Sequence, residues 1–499
     1  MGFLNRFRKA GAALFAAQSG YDAVSNSGRR KPPSARVLSE DQELRAHHRR
    51  AMATGTRNLQ RNFTIAAWAI RKHLDFLTSF SFQAKTGNKD LDKQVTEFVK
   101  WWSKPMNFDA AGRHGLRRFL RLVEARRTLD GDILVNRLAD GRLQGIEGDR
   151  IQSEGGTPYD TLGIDPMKVV LGVYLNDNGR ANGYMVYKRP FHRVALVWDK
   201  YIPALFADLV GYFDRFDQVR GISPMAPGIN SLQDIYENFD YALAKAKVAQ
   251  LFALAITRKA SEAIGALEED EEPATAPDGS ITNGTTTLPQ ADDEARYKIN
   301  FGKGPMVLDL DEGDDAKILQ DQTPSDQFQA FTQAMIMVAI KALDLPFSFY
   351  DESHTNWVGQ RQANAQYMLS ASIKRQDLRD LLDKWTDWRL RMAVMDGDIE
   401  LPAGYTASEL DWDWVPTGIP PVDPLKEVTA DVAEVNAGFS SPQRKCRERG
   451  DDYFQIIDEK AEAEQYAADK GVKLSTVLPQ MFPDNTDGGS SGKQNDQQN

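Results

Sequence analysis

The stretch DQVRGISPMAPGINSLQDI, residues 217–235, constrains this chain more than any other, because two glycines and two prolines crowd into one short bend. Before it the text alternates apolar and polar residues, the period of strands; after it Ile229, Leu232, Ile235, Phe239, Leu243 and Ala246 keep the three-and-four spacing of a helix. A nucleophile elbow, a phosphate loop or a structural hinge could each be written this way. The elbow fails because Ser223 is followed by Pro224, which has no backbone N–H to offer an oxyanion. The phosphate loop fails because the chain has no GxxxxGK[ST]; GKGP at 302–305 lacks both the spacing and the hydroxyl. The hinge remains. Ser223-Pro224 reads as an N-cap plus first helical residue, and Pro227-Gly228 as a second break before a helix that starts near Ser231. Gly221 is read as the residue that permits the sharp turn, and Arg220 as lacking paired chemistry.

The rest of the chain reads as α+β and mainly helical. A helical pattern covers about Leu44 to Phe80, followed by LDKQVTEFVKWWS and AGRHGLRRFLRLVEARRTL. DGDILVNRLADGRLQGIEGDRIQ and VVLGVYLNDNGRANGYMVYKR then alternate around Asp-Gly and Asn178-Gly179 turns, predicting antiparallel strands. The helix after the bend is expected over 229–258. An acidic, Pro- and Thr-rich excursion at 261–295 is too poor in large apolar residues to fold alone. Strands return in KINFGKGPMVLDLDEGDDAKIL, Thr323-Pro324 opens a second helix that stops at Pro346, and FSFYDESHTNW leads into the longest helix, about 358–395. A Pro-rich crossing (DWDWVPTGIPPVDP), two smaller helices and a polar tail close the chain.

Composition removes several functions. The single cysteine, Cys446, excludes an intrachain disulfide and a cysteine-based zinc site. The net charge of −10 argues against a tight DNA clamp, although the first fifty residues are basic and suit either docking on an acidic partner or a disordered, solubilising arm. The six histidines are scattered, no HExxH occurs, and no metal or cofactor is expected. No run approaches the ~20 apolar residues of a membrane span, and GAALFAA near the N-terminus is short for a signal peptide and has no clear cleavage site. The acid pairs Asp130/Asp132, Asp311/Glu312, Asp314/Asp315 and Asp351/Glu352 fall mostly in predicted turns and read as turn formers rather than catalytic carboxylates. Trp101/Trp102 and Trp385/Trp388 sit on amphipathic helices, where packing is expected. No catalytic residue is expected.

Taken in order, the blocks resemble the lambda-type portal proteins of tailed bacteriophages. YDA at 21–23, RNLQRNFTIAAWAI, LDGDILV, GIEGDRI, GIDPMKVVLGVYLNDNGRANGYMVYKR, FDQVRGISPMAPGINSLQDIYENFDYALAKAKVAQ, ALDLPFSFYDESHTNWVGQRQANAQ and WVPTGIPPVDPLKEVTADVAEVNAGFSSPQRKCRERGDDYFQIIDEKAEAE carry the likeness across roughly residues 20–470. The composition of 261–295 and VGQR in place of a small-residue turn depart from it. The resemblance implies a twelve-subunit ring at one capsid vertex. Double-stranded DNA would be packaged through it by the terminase large subunit and later ejected, and head-tail adaptor, major capsid and scaffold proteins would bind it. Such a protein would reside in the virion after assembly in the host cytoplasm.

The implied plan is a basic arm (1–40), a wing (41–215), a joint and first stem helix (216–260), a clip (261–320), a second stem helix (321–345), a tunnel loop (346–357), a long wing helix and crossing (358–424), a crown (425–483) and a tail (484–499). Asp351, Glu352, Ser353, His354, Thr355, Asn356 and Trp357 become candidate tunnel-loop residues, and Lys245, Lys247 and Lys341 candidate channel lysines. Gly221, Ser223, Pro224, Pro227 and Gly228 become a stiff joint between wing and stem. An acidic wall with few lysines suits sliding, since tight phosphate contacts would hold DNA in place. Rival readings are a scaffold or adaptor without a channel, a metal-dependent nuclease or hydrolase using Asp130 and Asp132, and membrane association through residues 1–17.

Overall fold

A computed structural model describes residues 37–153, 156–192, 195–251, 254–258, 314–318, 326–351, 353, 356–418 and 423–472. The arm at 1–36, the acidic excursion, Thr323-Pro324, Glu352, His354, Thr355 and the tail lie outside these residues. The helices up to the first sheet are α1 (Glu40–Glu43), α2 (Ala46–Asn62), α3 (Thr64–Leu77), α4 (Lys89–Trp102), α5 (Pro105–Phe108) and α6 (Leu116–Asp130), with strand β1 (Phe80–Ala84) among them. Then come β2 (Asp132–Arg137), β3 (Leu143–Glu147), α7 (Tyr159–Leu162), β4 (Val169–Val170), β5 (Val173–Leu175), β6 (Ala181–Lys188), β7 (Val197–Pro203) and β8 (Ala207–Gly211). Beyond the bend lie α8 (Ile229–Leu251), β9 (Leu254–Arg258), β10 (Asp314–Ile318), α9 (Asp326–Ile340), α10 (Trp357–Asp396), β11 (Trp412–Pro416), α11 (Pro424–Asn436), α12 (Pro442–Arg449) and α13 (Tyr453–Asp469). The fold is α+β and mainly helical.

Two compact units divide the chain: residues 1–71, 128–132 and 211–355 form one, and 72–127, 133–210 and 356–499 the other. In the first unit, α2, the start of α3, α8 and α9 bury Leu59, Phe63, Ile70, Leu232, Ile235, Ile336 and Ile340. The helix expected over 44–80 is two helices. Phe63 breaks it by taking an extended backbone, which lets its ring pack 5.4 Å from Tyr236. The helix expected over 229–258 ends at Leu251. Residues 254–258 instead pair antiparallel with 314–318, so Asp314 and Asp315, read as turn formers, are strand residues opposite Arg258 and Thr257. The β-branched content of LAITR fits that outcome.

In the second unit the sheets run β3-β2-β8 and β4-β5-β6-β7, and β1 pairs with β11. The β5–β6 hairpin turns at Asn178-Gly179, where Gly179 takes φ +77° and the Asn176 amide donates to Arg180 O at 2.9 Å. The β1–β11 pair joins segments more than three hundred residues apart, with Phe82 edge-on to Trp414 at 5.1 Å. It places a strand where a Pro-rich crossing was expected. The spine of this unit is α10, capped by Asn356, which accepts from the Gly359 amide at 2.7 Å, and closed by Gly397 at φ +80°. Trp385 from α10 meets Phe108 and Phe119, and Phe108 also meets Trp102. The buried indoles find acceptors as their polar N–H requires: Trp102 at Gly141 O (3.0 Å) and Trp414 at Thr386 Oγ1 (3.1 Å).

Candidate functional site

The bend lies within the first unit, and its centre is a carboxylate. Asp132 heads the strand DILVNR and is fully buried. Arg220 grips it bidentately, Nε to Oδ2 at 2.7 Å and Nη2 to Oδ1 at 2.8 Å. Arg49 from α2 adds Nη2 contacts at 3.1 and 3.2 Å, and the Gly221 amide donates to Oδ2 at 2.9 Å. Arg49 also donates through Nη1 to Gly221 O at 2.6 Å. Next to it Arg57 grips Asp130, both contacts at 2.7 Å. Burial alone would push the Asp132 carboxyl up, but the two guanidiniums and the amide hold it below its usual range. Burial pulls Arg49 down to about 10, with Asp132 opposing. A second acid, Asp41, accepts from the Val219 amide at 2.8 Å and adds a negative charge that favours the Arg49 guanidinium.

This arrangement corrects two sequence readings. Arg220 is paired, and Asp130 and Asp132 are buried cluster members rather than solvated turn formers. The signal was present. An acid heading the uniformly apolar run ILV enters the interior with that run, and a buried carboxylate needs cationic partners. What the text could not give was the partner, since Arg49 and Arg220 lie 83 and 88 residues away.

Backbone fit completes the bend. A Cβ on Gly221 would stand 2.2 Å from Gly131 O, and one on Gly131 would stand 2.4 Å from Gly221 O. Gly221 is therefore required by close approach; the positive φ, +94°, belongs to Gly131. Ser223 donates through Oγ to Thr128 O at 2.6 Å and accepts from the Met225 amide at 3.1 Å. It therefore caps a turn rather than a helix. Residues 224–225 form that turn and 226–228, with Pro227 inside, a single 3-10 turn, so α8 begins at Ile229 rather than near Ser231. At Gly228 a Cβ would reach 3.1 Å from Ala342 Cβ, which lets the start of α8 lie close against the end of α9.

The remaining candidates stand apart from this cluster. Lys245, Lys247 and Lys341 are exposed, the first two on α8 and the third in a 3-10 turn after α9. Of the loop residues, Asp351 accepts from the Ser353 amide at 3.0 Å and also from its hydroxyl, Asn356 caps α10, and Trp357 is the first residue of that helix. Among the described residues no group of three His, Cys, Asp or Glu could hold a metal ion, and no helix is long and apolar enough to cross a membrane.

The sequence model of the lambda family of phage portal proteins matches residues 28–369. No curated protein matches the chain. Solved structures with similar chains include the neck of a native GTA particle computed with C12 symmetry, at 15% identity and TM-score 0.42, covering 80% of this chain and 93% of that one. The virion of the native gene transfer agent (GTA) particle gives the same values. The neck of an empty GTA particle computed with C6 symmetry aligns at 16% identity and TM-score 0.43, covering 79% and 93%. With its family model spanning more than half of its length, from the basic arm through the bend and into α10, this chain belongs to the lambda family of phage portal proteins.

Proposed function

We propose that copies of this chain close into a ring of about twelve subunits at one capsid vertex. Double-stranded DNA passes through its axis during packaging by terminase and leaves by the same route. The ring also anchors capsid, scaffold and head-tail adaptor proteins, works without catalysis, and resides in the virion after assembly in the host cytoplasm. Beyond family membership, the observation that carries this reading is an uncovered apolar face on α8 and α9. Phe331 and Val338, seven residues apart on α9, and Phe239 and Leu243, four apart on α8, are open in the single chain, Val338 by 64% and Leu243 by 55%. A helix as apolar all round as QAFTQAMIMVAI belongs in an interior, and one chain buries only its Ile336, Ala339 and Ile340 side.

In this reading the bend fixes the tilt at which α8 leaves, Asp351, Ser353 and Asn356 belong to the segment nearest the axis, with Trp357 opening α10 behind them, and Lys245, Lys247 and Lys341 keep DNA near the axis without gripping it. The enzyme alternative finds little support at Asp130 and Asp132, where arginines occupy the carboxylates. Mass measurement and negative-stain imaging test the assembly: rings of about a dozen copies with a central hole support it, and a monomer at all concentrations would leave the adaptor reading. Charge reversal of the three lysines should impair DNA packaging or retention; unchanged packaging assigns them to solvation of the helix surface.

A further inference from the structure

In the second unit, His73 near the end of α3 closes a buried chain of charged groups. Its side chain is fully buried, and neither ring nitrogen has a hydrogen-bond partner among the described residues. The nearest carboxylate, Glu124 on α6, is also fully buried and stands 3.6 Å from Nε2, beyond hydrogen-bond length. That carboxylate is already engaged by Arg127, whose Nε lies 3.4 Å from Oε2 and whose Nη2 donates to Asp377 on α10 at 2.8 Å. The other charges around the ring oppose a proton on it. Lys374 on α10 and Arg127 both bring positive charge, and on α3 itself Asp75 is taken by Arg121 at 2.8 Å. The helices meet closely here: Arg375 of α10 donates to Phe76 O at 2.7 Å, and Phe76 lies edge-on to Tyr367 at 4.9 Å.

We propose that His73 is a proton-operated release for the junction of α3, α6 and α10: neutral, it packs; protonated, it competes with Arg127 for one buried carboxylate and loosens the three helices. The neutral ring needs one acceptor, and Glu124 is the group nearest to serving it. The imidazolium, stripped of water, needs two, and nothing stands at Nδ1. Burial accordingly holds the imidazole below its ordinary 6.5, with Glu124 opposing and Lys374 and Arg127 adding to the fall. Unfolding therefore takes up a proton that the folded chain does not bind. The stability this supplies is complete above pH 6.5 and is lost as pH falls from there through the folded value. The bend responds in another window, because the Asp132 carboxyl is held below 3.8. At mildly acid pH the second unit opens while the first keeps its cluster, and His73 sets that order. The device belongs to the single chain and does not depend on ring formation.

Amide hydrogen exchange of the full-length protein at about pH 7.5 and 6.0, corrected for the intrinsic pH dependence of exchange, tests this. Amides of 72–77, 116–127 and 370–378 should lose about fourfold in protection at the lower pH, while those of 217–225 keep theirs. In His73→Gln, which cannot ionise, the ratio between the two pH values should be close to one. Because the readout is that ratio, a variant that is weaker at both pH values still answers. His47→Gln, at an exposed site, should lose protection as the wild type does. Equal protection at both pH values in wild type, an equal loss at 217–225, or a loss retained by His73→Gln overturns the proposal. A second measurement needs no substitution. Exchange of the imidazole C2 hydrogen, followed by mass spectrometry across pH, should titrate at His73 with a midpoint below 6.5; a midpoint at or above that value also overturns it.

Discussion

The bend and the C-terminal helical layer are both held by arginine or lysine on carboxylates, yet they are opposite kinds of structure. At the bend the ions are inside: Asp132 is fully buried, Arg220 is 2% exposed, and every oxygen of the carboxylate is met. In the layer the carboxylates around Lys445 remain open, Glu448 by 57%, and the apolar residues lie outside. A buried, fully paired cluster excludes alternatives, because any displaced member leaves a bare charge. An exposed network is screened and weak, so it can order helices without deciding what covers them. The contrast separates a part of the chain whose charges are closed off by its own residues from a part whose apolar side chains its own residues leave open.

The strongest way to break the contrast is Asp132→Ala. It strands Arg49 and Arg220 in the interior, and the first unit should lose about 3–5 kcal/mol, read as a large fall in the urea midpoint. Gly221→Ala comes next. Its Cβ would need the space of Gly131 O, so a loss of about 2–3 kcal/mol is expected, and a neutral result would mean that the bend is loose. Acid then sharpens the picture. The folded Asp132 carboxyl lies below its unfolded value of 3.8, so its contribution is complete above that value and disappears as pH falls through the folded one. Titrating unfolding from pH 7 downwards should show a loss in wild type that Asp132→Asn lacks. Alanine at Pro224 and Pro227 should disturb ring assembly while sparing the monomer; normal rings would show that rigidity there is dispensable. The smallest effect belongs to the open network: Lys445→Ala should cost about 1 kcal/mol or less and diminish with added salt.

What the sequence made legible follows from the range of the forces involved. The Asn178-Gly179 hairpin, the position of the bend and the presence of most helices are written in local period and turn chemistry, but helix bounds are not: 44–80 is two helices, the helix after the bend ends at Leu251, and three helices rather than two follow the Pro-rich crossing. The break at Phe63 was hidden because its reason is a ring 173 residues further on. The β1–β11 pair was hidden for the same reason. At the bend, the sequence offered the glycines and prolines but attached the wrong cause to Gly221, since close backbone approach leaves no mark in local spacing. It also passed over Arg220, whose partner sits on another strand. The apolar stripe of α8 was legible in its spacing, but a stripe alone does not say whether its cover comes from the same chain.

The central claim is that this chain is completed by copies of itself. Measuring the mass of the full-length protein across a dilution series, alongside images of the same samples, tests it most directly. The account predicts a closed assembly of about a dozen chains with an axial hole. A monomer that persists at every concentration, with the faces of α8 and α9 as open as in the single chain, would contradict it.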